Sequence, residues 1–575
     1  MHCGLSDRVD VDWSGSRSLV DLLSARAGDD RPAFTCVDYA GGLEPTESTL
    51  SWSELTLRVR ATAVAILRVT SPGERAAILI TQDLDYVVAF LGALAAGVVA
   101  VPLFAPEATA HNDRLVAALS DCAPQVWLTT SQAEPRLQEL PGTSSVPRPN
   151  QVLLVDDLDL ALAEEFAPPR LSLSDAAYLQ YSSGSTRRPT GAVITHGAAV
   201  ANARQVCAAY GVDSSYTCAG WIPFFHDMGL MVLIVIPVLL GARSVFTSPF
   251  TFIRRPMSWL RMLDQHPNTF TAAPNFAFEY TASRVGERDR ATLNLDGVRV
   301  MINGSEPIRP AAIAAFDAAF GPRGLAPQAH RPSYGLAEAT VFVSASPLGS
   351  TPRTTAFDRE ALGGGRAVPA AGGTVTLVSV GRPVGQHVQV VDPATRRVLQ
   401  DGTVGELWVH GPHVASGYWN APEESARTFA GELVDAPAEL PHGPWLRTGD
   451  LGAVVDGELY ITGRAKDLII LDGRNHYPQD IEATTQDAHP LVSRDRVAAF
   501  SVVVDDREAV VVVAECGRGE NSEIVAAVRR AISAVHELRP HDVVIARPGT
   551  VVRTSSGKVS RAKTRDAYLN GRYDW

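Results

Sequence analysis

An alternation of two textures constrains this chain more than any other feature. β-Type apolar runs at 75–81, 98–103, 125–129, 151–155 and 192–195 are separated by helix-length segments such as 53–69 and 111–120. Strands joined through helices cannot close into tight hairpins, so they pair in parallel and bury both faces of a sheet. The alternation therefore predicts an α/β architecture. Further along, runs at 375–380, 388–391, 405–410, 453–455 and 459–462 are short and linked by turn residues, which predicts a small β-rich subdomain. From about Lys466 the order is strand 468–471, helix 479–488, strands 496–503 and 509–514, and an amphipathic helix 522–536, a compact α+β module of about 110 residues. The segment 131–149, rich in Pro and Ser, reads as a surface connection, and 347–373, with its paired and tripled glycines, as weakly structured.

Length and composition narrow the class. The 575 residues allow about three or four structural units, and 46% hydrophobic content supplies their cores. A net charge of −12 with no basic run argues against a partner held through nucleic-acid phosphates. Of 51 cations only three are lysines, Lys466, Lys558 and Lys563, all in the last fifth of the chain. The six cysteines show no C-x-x-C pair and no metal-ligand spacing, so they read as small core residues in a reducing compartment. The N-terminal residues carry acids and no apolar h-region, which predicts no secretory leader. Two apolar runs approach membrane character. The run 87–104 is broken by Gly92, Gly97 and Pro102, and 230–240 is short with Pro237 inside, so both read as core rather than integral membrane segments. A soluble cytoplasmic protein is the expectation.

The most informative local segment is Tyr181-Ser-Ser-Gly-Ser-Thr-Arg-Arg-Pro-Thr-Gly191, set between two strand-like runs. Small hydroxylated residues around a glycine offer N–H and O–H donors to an anion without steric obstruction. It is not a Walker loop, since the Gly557-Lys558 pair is followed by Val559. The loop resembles the phosphate loop of the adenylate-forming superfamily of acyl-CoA ligases, luciferases and nonribosomal peptide synthetase adenylation domains. Asn303-Gly-Ser-Glu-Pro307, Ser333-Tyr-Gly-Leu-Ala-Glu-Ala-Thr340, Thr448-Gly-Asp-Leu451, Thr462-Gly-Arg-Ala-Lys-Asp467 and Arg553-Thr-Ser-Ser-Gly-Lys558 resemble its remaining motifs, in order. Each taken singly has a plain structural explanation, whereas the ordered set does not. The segments 221–230, 273–279, 333–344 and 473–482 are similar to fatty acyl-AMP ligases in particular, and Arg187 with Thr190, where a lysine is usual, is a departure those ligases share.

The resemblance implies a fold of two parallel-type αβ sheet subdomains and a small β-rich subdomain in a large N-terminal domain, residues 1–465. A small mobile α+β domain, 466–575, then carries the catalytic lysine, Lys558. It implies that ATP is bound by Ser182, Ser183, Gly184, Ser185 and Thr186 through its phosphates. Adenine would lie against Asn303, Gly304, Ser305 and Glu306, and against Ser333, Tyr334, Gly335, Leu336 and Ala337. Asp450 would accept the ribose hydroxyls, Arg464 would add a second nucleotide contact, and Glu338 would hold Mg²⁺. His226 would stand near the acyl-adenylate junction. Phe224, Met228, Phe276 and Phe278 are candidates for the acyl tunnel wall, and 347–373 falls where these ligases carry an insertion packed against the N-terminal domain. The implied reaction activates a fatty acid as acyl-AMP and hands the acyl group to an acyl carrier protein, or to a polyketide or peptide synthetase carrier domain acting in trans. An acyl-CoA synthetase, an amino-acid adenylation domain and a nucleotide-sensing homologue are the competing readings.

Overall fold

The computed structural model describes residues 17–42, 44–106, 112–138, 146–181, 190–471, 474–504, 507–553 and 558–573. Among them, two large sheets dominate. The first runs, edge to edge, Gln151–Leu154, Val126–Thr129, Arg75–Ile78, Val99–Pro102, Ala176–Tyr181 and Gly191–Thr195, parallel throughout except for its last pair. The second has nine strands, with Thr217–Gly220, Arg243–Phe246, Thr269–Pro274, Val298–Gly304 and His330–Gly335 in its parallel centre and antiparallel strands at both edges. One apolar cluster joins the two sheets through the helices Trp52–Leu67, Leu84–Ala95 and His196–Tyr210.

Local chemistry sets these helix ends. Ser51 and Glu54 form a reciprocal capping box that satisfies the first amides of Trp52–Leu67. Thr195 caps His196–Tyr210, which stops where Gly211 takes the left-handed conformation at φ 64°. The run 87–104 resolves as helix Leu84–Ala95, a turn at Gly97 and strand Val99–Pro102. The second apolar run is helical. It continues Asp227–Leu230 through a π turn, Met231–Val235, into Ile236–Leu240, and is buried on nearly every side. No helix of the described residues is long and apolar enough to cross a membrane.

A five-stranded antiparallel sheet follows, ordered Arg397–Val398, His387–Asp392, Gly405–His410, Leu446–Val455 and Glu458–Arg464. The sequence reading placed a short strand at 453–455; the observed strand is ten residues long and starts at Leu446. Gly449 and Asp450 have poor strand propensity, but Gly449 donates to the Glu406 carboxylate at 3.0 Å and the ladder continues past it.

The segment 347–373 is more ordered than its glycines suggested. It contains strand Thr354–Asp358 and helix Arg359–Gly363, and the strand pairs with Thr374–Val378, which therefore leaves the β-rich sheet to which it was assigned. Phe357 is fully buried with its ring 5.1 Å from that of Tyr460, a burial that contributes about 2–3 kcal/mol. Its glycines fall outside the strand and helix interiors except at the helix end, so the apolar Phe357 and Leu362 decide the packing.

The C-terminal residues form a three-stranded sheet, Val492–Val504, Arg507–Cys516 and Asp542–Ala546, with helices Pro478–Ala488, Asn521–His536 and Arg561–Leu569 and core clusters of their own. Arg561 binds both oxygens of Glu482 at 2.7 Å and Asp467 at 3.1 Å, tying the last helix to the chain beside Lys466. Partner removal from so enclosed a charge set leaves an uncompensated ion, so the three act as one unit.

Candidate active site

The sheets, the five-stranded unit and the C-terminal unit converge on a cavity of about 1400 Å³. One wall binds three of the motif residues to each other. The Tyr334 hydroxyl donates to Asp450 Oδ2 at 2.7 Å, and Arg464 Nε lies 2.9 Å from Asp450 Oδ1. Strand pairing explains the second contact, because Asp450 and Arg464 are direct cross-strand partners. The carboxylate, only 4% exposed, holds the guanidinium charge firmly and raises the Arg464 pKa. Burial, and then the same carboxylate, raise the Tyr334 phenol, which stays protonated and donating.

Opposite stand Lys558 and two carboxylates. Burial lowers the pKa of the Lys558 ammonium, against the pull of Asp227 and then Glu306. Burial likewise pushes the Glu306 carboxyl up, opposed by the Phe276 N–H that donates to it at 2.5 Å. Asp227 resists burial, since His226 and then Lys558 hold its carboxyl below the usual range. His226 Nδ1 lies 2.7 Å from Asp227 Oδ1, a separation that requires a proton between them. The Met228 N–H donates to the same carboxylate at 2.6 Å and lies 3.3 Å from Nδ1, and Nε2 is the ring atom left for other chemistry. Lys558 is held from behind by the pairing of Arg553 with Val559 and by Ser560 N–H donating to Val552 O at 2.8 Å. Arg309 crosses to the C-terminal unit, bonding Glu279 and Asp495, each at 2.7 Å.

Glu338 projects from a single 3₁₀ turn, Ala337–Ala339, where Oε1 accepts the Tyr418 hydroxyl at 2.7 Å. The next residue but one, Thr340, has φ 63°, an uncommon value for a β-branched residue. Its hydroxyl donates to His413 O at 2.6 Å, and the Glu338 carbonyl accepts the Ala415 N–H at 2.9 Å, so the loop around His413 over-determines the turn. His413 is fully buried, with Nδ1 3.3 Å from the Gln205 amide. Burial lowers its pKa to about 3, far below its ordinary 6.5. A depressed base holds its stability above the unfolded pKa and loses it as pH falls through the folded one. The melting temperature should thus decline from about pH 6.5 downward, more steeply in the native chain than in His413→Gln, when both are followed by scanning calorimetry. Equal slopes would remove His413 as the source.

Of the sequence-derived site residues, Gly304, Ser305, Glu306, Ser333, Tyr334, Gly335, Leu336, Ala337, Glu338, Asp450, Arg464, His226 and Lys558 all line this cavity. Asn303 does not: it is fully buried behind the wall, its amide 3.0 Å from His330 Nε2. Ser182, Ser183, Gly184, Ser185 and Thr186 lie outside the described residues, but the flanking Tyr181 and Thr190 both line the cavity. Among the tunnel candidates, Met228 and Phe276 face it. Phe224 packs into the core against Tyr86 and Phe246, and Phe278 stacks on His330 at 4.5 Å. Apolar spacing alone could not separate wall from core. Asp227, Tyr418 and Arg309 were missed; only Asp227 carried a signal, its adjacency to His226.

This wall of aromatic, carboxylate and guanidinium sharing a cavity with a half-buried lysine is accompanied by close kinship to known proteins. The AMP-binding enzyme family matches residues 23–419, and the AMP domain of Disco-interacting protein 2-like proteins matches 466–575. The chain belongs to the AMP-binding enzymes. It is 43% identical to long-chain-fatty-acid–AMP ligase FadD26 of Mycobacterium marinum, over 96% of this chain and 97% of that one. With 4-hydroxyphenylalkanoate adenylyltransferase of Mycobacterium tuberculosis it shares 39% identity, over 96% and 92%. A structure from work on fatty acyl-adenylate ligases of E. coli and L. pneumophila superposes with a TM-score of 0.84 at 29% identity, covering 97% of this chain and 98% of the other. The L. pneumophila fatty acyl-adenylate ligase in complex with acyl adenylate and pyrophosphate does so with a TM-score of 0.75 at 30% identity, covering 97% of each. Within the AMP-binding enzymes, the chain is a member of the fatty-acid–AMP ligase family.

Proposed function

We propose that this protein activates a long-chain fatty acid as its acyl adenylate and passes the acyl group to the phosphopantetheine thiol of a carrier protein or carrier domain in trans. The observation that carries the reading is the placing of Lys558 in the same cavity as the linked Tyr334, Asp450 and Arg464. In the first half-reaction a carboxylate oxygen attacks the α-phosphorus of ATP, the P–O bond to the β-phosphate breaks, and pyrophosphate leaves. Two anions must meet, so positioning and charge neutralisation supply most of the catalysis. Tyr334 packs against adenine beside Gly304, Ser305 and the 335–337 backbone, Asp450 accepts from the ribose, and Arg464 adds a second contact. The phosphate segment 182–186 cradles the leaving pyrophosphate. Lys558 bridges the fatty carboxylate and the α-phosphate, and His226 stands beside the acyl-adenylate junction.

Mg²⁺ fits the donor set. Among the described residues no cluster of three or more acids, histidines or cysteines forms an all-protein cage, and Glu338 offers a hard oxygen on the cavity wall. Glu338 would hold the ion, which would offset charge on the phosphates. We take residues 1–465 as the substrate-binding domain and 466–575 as a lid whose closure brings Lys558 in and excludes water from a hydrolysable product. The reaction belongs in the cytoplasm, where ATP and a carrier are both available.

Mass spectrometry of the enzyme with ATP, Mg²⁺, a long-chain fatty acid and either CoA or a holo carrier protein tests the whole reading. The expected products are acyl-AMP and acyl-carrier, with little acyl-CoA. Abundant acyl-CoA would reassign the second step, and no acyl-AMP from any acid would overturn the first.

A further inference from the structure

The apolar side of the cavity carries one polar anomaly. Val206, Met231, Val232, Ile302, Val341 and Phe342 supply that wall, as a hydrocarbon chain requires. Tyr210, the last residue of helix His196–Tyr210, lines the same wall and is 2% exposed. Its ring is fixed between those of Phe270 and Phe342, both at 5.9 Å between centroids. Its hydroxyl has no hydrogen-bond partner among the described residues. The side chain of Ser333, whose own hydroxyl donates to Ser344 O at 2.8 Å, draws the phenol pKa down from beyond hydrogen-bond distance, against the larger effect of burial.

Behind the ring sits a buried cation. Arg331, also 2% exposed, places its guanidinium carbon 5.7 Å from the Tyr210 centroid and donates to Ser346 O, leaving its Nε with no partner among the described residues. A cation over the ring withdraws electron density and makes the phenol a better donor. Burial keeps it protonated, with its pKa pushed up to about 12. A plain hydrocarbon would leave this donor desolvated and unbonded, an arrangement for which phenylalanine would be the better wall residue.

We infer that the Tyr210 hydroxyl is a specificity-determining donor for an oxygen carried on the acyl chain, so that the preferred acids bear a ketone, hydroxyl or aryl hydroxyl at the depth of Tyr210. The inference rests on the acyl-adenylating reading of the cavity. Sites that hydrogen-bond a substrate group discriminate against the analogue lacking it, because their own polar atom is then left unpaired.

The experiment compares kcat/KM for acyl-AMP formation by the full chain across acids of equal length, each plain or oxygenated at one scanned position. At one depth the oxygenated acid should win by about 10-fold. In Tyr210→Phe that ratio should fall to about one, with the plain acid used better than by the native enzyme. Lack of preference at every position, or a preference that survives Tyr210→Phe, would overturn the inference while the adenylation reading stands. Failure of every acid to give acyl-AMP would overturn both.

Discussion

Lys558→Ala should lower the rate of acyl-AMP formation by about 10²–10³-fold, the usual consequence of deleting one preorganised charge from a water-excluded site. The structure gives the reason for so large an effect. Lys558 stands among Asp227, Glu306, Arg464 and Asp450, so once the unit that carries it is seated its charge is held in the cavity by fixed neighbours. Removing it would leave the half-buried Asp227 and Glu306 facing two further anions, the fatty carboxylate and the α-phosphate of the proposed reaction. The only other lysines are Lys466, beside the junction of the two units, and Lys563, in the last helix. The loss should lie in kcat, with ATP affinity little changed, since the adenine and ribose contacts are made by other residues. Pyrophosphate release under saturating ATP and fatty acid checks this. A variant within threefold of the native rate would move the catalytic charge elsewhere.

Asp450→Ala should weaken ATP binding by about 10²-fold, because hydrogen bonds to a charged group contribute up to about 3 kcal/mol. Three losses coincide. The ribose loses its acceptor, the Tyr334 hydroxyl loses a 2.7 Å bond in a buried setting, and Arg464 loses its 2.9 Å partner. The effect should appear in the Kd for ATP by titration calorimetry, with melting temperature followed in parallel to separate binding from folding. Asp450→Asn keeps an acceptor oxygen and should fall between the two. Binding unchanged in the alanine variant would take Asp450 out of the nucleotide site.

Much of this site was legible because its chemistry is carried by short, ordered motifs. Tyr334, Glu338, Asp450, Arg464 and Lys558 were each named from a local string, and the fold then assembles them around one cavity. What stayed hidden depends on contacts between distant segments. Tyr418 supports Glu338 across 80 positions of sequence, and Arg309 reaches Asp495 across 186. The strained Thr340 is held by His413, which nothing in its neighbourhood marks as buried. Phe224 and Phe278 are of the same type and spacing as wall residues, and only the path of the turn that carries Phe224 and the helix face that carries Phe278 put them in the core. The order of 354–363 was missed for a different reason: the glycines beside it are conspicuous, whereas the buried Phe357 and Leu362 that anchor it are not.

The cross-strand contact of Asp450 with Arg464 bears on more than the ribose. Arg464 stands two residues before Lys466, where the chain passes from the five-stranded sheet to the C-terminal unit. The same short link therefore joins Asp450, in the proposed nucleotide site, at one end to the Arg561 anchor at Asp467 at the other. Two equilibria that share a strut are thermodynamically linked. If nucleotide binding shifts the position of the C-terminal unit by some factor, that position must shift nucleotide affinity by the same factor. Product release and lid opening would then be two readings of one coupling free energy.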